Sequence, residues 1–84
     1  MENKVFIGSL AWAIDSDKLR EIFAEAGEIT EASVVTDRET GRSRGFGFVE
    51  FTTPEAAQNA IKLFNEKEVE GRQIFVNIAR PKDN

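Results

Sequence analysis

The sequence predicts an α+β domain, a four-stranded antiparallel sheet with two helices on one face, in the order β-α-β-β-α-β. Three observations predict it. Two segments repeat apolar residues at helical spacing between cap signals. Four others are rich in β-branched and aromatic residues. The two kinds alternate in that order, with no repeat, linker or low-complexity segment, so residues 1–84 are expected to form a single domain.

Lys4 to Gly8 is the first strand, broken by Gly8. Asp15 suits an N-cap, and Asp17 lies in the first turn, where the helix dipole favours negative charge. Ile14 and Leu19 flank the cap as a hydrophobic staple. Leu19, Ile22, Phe23 and Ala26 then form one apolar face before Gly27, which predicts a helix over about 16 to 26. Ile29 to Thr36 is a second strand, and the polar run Asp37 to Ser43 a loop. Gly45 to Phe51 is a third strand. Thr53-Pro54-Glu55 starts a second helix, with Ala56, Ala57, Ala60, Ile61 and Phe64 on its apolar face. Glu70-Gly71 turns a short hairpin, and Gln73 to Ala79 is a last strand. This order is the split βαβ, or ferredoxin-like, sandwich.

Alternation along each strand sorts residues between the helix-covered face and the open one. Val5, Ile7, Val49, Phe51, Ile74, Val76 and Ile78 suit a core. The opposite parity carries Phe6, Arg44, Phe46, Phe48, Glu50, Gln73, Phe75, Asn77 and Ala79. Of seven phenylalanines, Phe23, Phe51 and Phe64 therefore go to the core, and Phe6, Phe46, Phe48 and Phe75 fall on the open face. Several large aromatics exposed together mark a binding surface.

Composition narrows the function. Without cysteine or histidine the chain has no disulfide, no thiolate metal site and no imidazole base, and no carboxylates cluster in an evident pocket, so no enzyme is expected. No apolar run approaches a membrane span and the N-terminus is not a signal peptide, which makes the cytoplasm the default compartment, with the nucleus compatible. No small-molecule cofactor is expected.

Arg44-Gly45-Phe46-Gly47-Phe48-Val49-Glu50-Phe51 matches every position of the octapeptide of the RNA recognition motif family. Val5-Phe6-Ile7-Gly8-Ser9-Leu10 resembles the companion hexapeptide, at the family's spacing upstream. The resemblance covers essentially the whole chain. It is to small single-domain bacterial members and the plant glycine-rich type, without the glycine-rich tail. It implies that the first and third strands are neighbours and that single-stranded RNA is the partner. Phe6 and Phe48 would each stack under a base, Phe46 would pack against sugars, and Arg44 would pair with a phosphate. Asn77, Ala79 and Arg80 match positions that contact bases on leaving the last strand. Ser9 stands where many members have Asn.

Stacking supports these roles independently, because every base offers a π-face that a duplex hides. Lys4, Arg42, Arg44, Arg80 and Lys82 rim the presumed face, with Arg38 nearby, and Glu50 is the one acid placed on the sheet. Six acids against two bases over residues 15 to 31 give the first helix and its exit an acidic back, within a net charge of -4. Modest affinity and a shallow salt dependence follow. Phe75 is a fourth platform or half of a weak self-association patch on an otherwise monomeric domain. Val35 is a weaker candidate contact, and Trp12 a packing anchor. The competing readings are a protein-interaction domain using the acidic first helix, and single-stranded DNA binding.

Overall fold

The computed structural model describes residues 3–11, 13–36, 39–40 and 43–79, with the backbone alone for Ser43 and Arg44. Its main sheet joins β1 (Lys4–Gly8), β2 (Ile29–Thr36), β3 (Ser43–Phe51) and β6 (Phe75–Ile78) in the order β2-β3-β1-β6. Helices α1 (Ser16–Phe23) and α2 (Pro54–Phe64) pack on one face. A separate hairpin, β4 (Glu68–Val69) and β5 (Arg72–Gln73), follows α2. The expected α+β sandwich is the observed one.

Both helices start as their caps predict. Asp15 accepts from the Lys18 N–H at 2.8 Å, and Thr53 Oγ1 from the Ala56 N–H at 3.2 Å. Ile14 and Leu19, the staple pair, are both buried. The first helix is shorter than expected, ending at Phe23 instead of residue 26. The Ala26 and Gly27 N–H groups bond three residues back, to Phe23 and Ala24, so the chain tightens out of the α-helix. Ala26 stays buried all the same.

The last strand also differs. Gln73 pairs with Glu68 in the hairpin, and the sheet strand begins only at Phe75. Glu70 (φ 53°) and Gly71 (φ 82°) form the tight turn, since a two-residue hairpin of this hand needs positive φ at both places. Between hairpin and sheet, buried Ile74 bonds its N–H to the Lys67 carbonyl and its C=O to the Glu66 N–H. Simple alternation from Gln73 to Ala79 does not reveal this change of partner.

Five strand residues (Val5, Ile7, Val49, Phe51 and Val76), with Ile74 just before β6, all reach 0 % exposure, as the parity assignment requires. Ile78, expected with them, is only partly buried. Against them lie Leu19 and Phe23 of α1 and Ala57, Ala60 and Phe64 of α2, with the Phe23 and Phe64 rings 4.5 Å apart. Gly47 is dictated by closeness. A Cβ there would stand 2.7 Å from the Ser33 carbonyl oxygen, a backbone atom of the next strand. Each edge strand is bonded by a side chain from a helix end. The Val34 N–H donates to Ser16 Oγ and the Val76 N–H to Asn65 Oδ1, both at 3.0 Å. Such bonds keep an edge from templating another chain.

Candidate nucleic-acid interface

Strand pairing arranges the open face in rows. Phe6 lies opposite Phe48 on one side and Asn77 on the other, and Ser33 lies opposite Phe48, so one row reads Ser33, Phe48, Phe6, Asn77. The next row places Gly8 between Phe46 and Phe75. The row on the other side places Glu50 between Glu31 and Lys4. Directly opposed residues share a face with Cβ atoms about 4.5–5.5 Å apart.

Phe6 is the hub. Its ring centroid is 5.7 Å from that of Phe46 and 5.5 Å from that of Phe48, the second pair meeting edge to face. All three rings are partly buried, so each keeps a surface toward solvent. Beneath this cluster lies Gly8. The Phe6 ring leans over it, with Cε1 3.4 Å from where a Cβ would be. At the end of the platform Lys4 sets its Nζ 5.7 Å over the Phe48 ring. A cation over an aromatic face is attracted by the ring quadrupole.

Upstream, Leu10 donates its N–H to the Gly45 carbonyl at 2.8 Å, tying the loop after β1 to the start of β3. Gly45 takes a positive φ of 88° at that point. Ser9 has φ 59°, a left-handed conformation that Asn tolerates better than most residues. That is the physical cost of a serine at this position.

The aromatic residues predicted from sequence thus come together as a set of three. Phe75 shares the face at 43 % exposure, on the edge strand, and Asn77 is exposed beside it. The Ala79 N–H donates to the Lys4 carbonyl at 2.9 Å. Val35 is partly buried on β2. Arg44 begins the octapeptide within β3, where its backbone alone is described. Arg42 and Arg80 lie outside the described residues, as do Trp12, Arg38 and Lys82.

One expectation is corrected. Glu50 is not the only acid on the sheet, because Glu31 lies directly opposite it. Glu31 continues the register of Ala32, Ser33 and Val34, and the irregularity lies beyond it, where Ile29 comes opposite Phe51. On the helical side, a shallow groove is lined by Ala13, Ile14, Asp15, Asp17, Lys18, Glu21 and Glu70. Among the described residues no His, Cys, Asp and Glu cluster is arranged to hold a metal, and no helix is long and apolar enough to cross a membrane.

Comparison with known proteins agrees with this geometry. Residues 5–74 match the family model described as RNA recognition motif. The chain is 54% identical over 79 residues to glycine-rich RNA-binding protein 4, mitochondrial, of Arabidopsis thaliana, covering 94% of this chain and 58% of that protein. It is 52% identical over 80 residues to small RNA binding protein 1 of Cucumis sativus, covering 95% of this chain and 50% of that one. The chain thus spans about half the length of the curated relatives it matches. Among solved structures, RNA binding protein PG1 superposes with a TM-score of 0.89 at 37% identity, over 96% of this chain and 98% of that one. The SXL-lethal protein in complex with RNA gives 0.91 at 29% identity, over 99% of this chain and 50% of that one.

Proposed function

The chain belongs to the RNA recognition motif family, and on that premise we propose that it binds single-stranded RNA on the open face of its sheet. The observation that carries the reading is the trio of partly exposed rings, with Phe46 and Phe48 each centred within 5.7 Å of Phe6. Phe6 and Phe48 each stack under a base. Phe46 packs against the sugars between them, and Arg44 pairs with a phosphate. Lys4, Arg42 and Arg80 add charge around the rim. Phe75 extends the platform across the edge strand, with Asn77 and the carbonyl of Ala79 reading base edges.

Stacking explains how a chain of net charge -4 binds a polyanion. The π-face term is independent of phosphate and is worth roughly 1–3 kcal/mol per base. The domain acts as a monomer without cofactor. The cytoplasm satisfies the need for single-stranded RNA, and mitochondria, named for one of the relatives above, satisfy it equally.

Titration of the labelled domain with short random RNA, followed by NMR, tests the reading. The expected result is shifts centred on Phe6, Phe46 and Phe48. Shifts confined to α1 and the acidic groove, with those rings unmoved, refute it and favour a protein-docking role. Matched RNA and DNA oligomers separate the two nucleic acids, since contacts to the 2′-hydroxyl alone distinguish them.

A further inference from the structure

We infer that Glu31 and Glu50 determine which base is accepted over Phe48, and that they favour guanine; this rests on the RNA-binding reading above. The site is the Phe48 ring, and the carboxylates are its neighbours. Ala32, Val34, Val49 and Phe51 pack into or against the core, which turns Glu31, Ser33, Phe48 and Glu50 to the open side. Glu31 and Ser33 sit opposite Glu50 and Phe48 respectively, so the carboxylate row runs directly beside the ring. Along β3 the two rows are about 6.7 Å apart, two strand residues, within reach of the edge of a purine stacked on Phe48.

Two opposed carboxylates are a poor choice for general binding of a polyanion. Like charges directly across a sheet destabilise it, and both repel phosphate. They are well suited to base edges instead. A carboxylate only accepts hydrogen bonds. Guanine presents two adjacent donors, N1–H and N2–H, which one carboxylate can accept side by side. Uracil presents a single N–H between two carbonyl oxygens, whose lone pairs the same carboxylate repels. Adenine and cytosine each set an amino donor beside a ring acceptor and fall between.

Orientation is partly fixed beforehand. The Thr30 hydroxyl bonds to the Glu50 carbonyl at 3.2 Å and to Glu50 Oε1 at 3.3 Å. From the other flank Lys4, opposite Glu50, places its Nζ over the Phe48 ring. A base stacking on Phe48 takes the place of the Lys4 ammonium over the ring and meets the carboxylates at one side. That combination discriminates by base edge instead of simply gathering negative charge.

The test compares the hexanucleotide U6 with six hexamers carrying one guanine at each position in turn, using the intact chain and the double variant Glu31→Ala, Glu50→Ala. In the parent, guanine at one position is expected to raise affinity about tenfold over uracil, the scale of a hydrogen bond to a charged group. In the double variant that ratio falls to about twofold or less while affinity for U6 rises, because repulsion of phosphate is relieved. Thermal melting of the variant verifies that it is folded, and base preference is a readout that a purely structural role would not move. No guanine preference in the parent, or one that survives in the folded double variant, overturns the inference while leaving RNA binding intact. Failure of all seven hexamers to bind overturns the RNA-binding reading and the inference with it.

Discussion

Replacing Phe6 by Ala removes the centre of the ring cluster, and two separate magnitudes follow. For binding, loss of the base stacked on Phe6 costs about 1–3 kcal/mol, roughly a 5- to 150-fold weaker Kd. For stability, the Phe6 ring contacts Phe46 at 5.7 Å and Phe48 at 5.5 Å, so two aromatic pairs are lost. Each is worth about 0.5–1.5 kcal/mol beyond area burial, so the two pairs account for about 1–3 kcal/mol, and the lost burial of the partly buried ring adds to it. A domain of ordinary stability, about 5–15 kcal/mol, survives that loss. Phe46→Ala removes one recorded pair instead of two and should cost about half as much stability. Fluorescence anisotropy with a labelled RNA hexamer reads the first quantity, and urea unfolding followed by circular dichroism reads the second. A folded Phe6→Ala variant with affinity within about twofold of the parent refutes the stacking role. So does a binding loss that disappears once the unfolded fraction is subtracted.

Other outcomes follow from contacts elsewhere. Gly47→Ala drives a Cβ to 2.7 Å from the Ser33 carbonyl oxygen, so β2 and β3 must part; a loss of about 1–3 kcal/mol is expected in urea unfolding. Gly8→Ala meets the Phe6 ring at an ordinary 3.4 Å and should be nearly neutral in the same assay. Ser9→Gly relieves a left-handed φ of 59°, and after the entropy cost of glycine in the unfolded chain a net gain of about 0.5–1 kcal/mol should raise the melting temperature by several degrees. Asn65→Ala leaves the Val76 N–H without its 3.0 Å partner on an edge strand; about 1–3 kcal/mol of stability should go, with concentration-dependent association detectable by light scattering. Salt dependence should be shallow. Four phosphate contacts, from Lys4, Arg42, Arg44 and Arg80, give a log–log slope no steeper than about −3 for a single strand.

Much of the molecule was legible in the order of residues. Cap chemistry placed the start of both helices, since Asp15 and Thr53 act locally on N–H groups three residues away. Strand parity separated core from platform, because a side chain two residues on returns to the same face whatever the partner strand does. The end of α1 and the start of β6 were not legible. The first depends on bonds from Ala26 and Gly27 to Phe23 and Ala24 that close the helix early, the second on Ile74 bonding to Glu66 and Lys67 instead of a sheet neighbour.

By itself, then, the sequence determined which side chains stand on the open face, as period-two alternation is a property of each strand alone. Only the tertiary structure decided which of them touch. Register is a relation between strands: it set Phe6 between Phe48 and Asn77, and Gly8 between Phe46 and Phe75. Register likewise set Glu31, which shares the parity of Ser33 and Val35, directly opposite Glu50, a carboxylate pair that no single strand reveals. Pairing distance, not residue type, makes those neighbours.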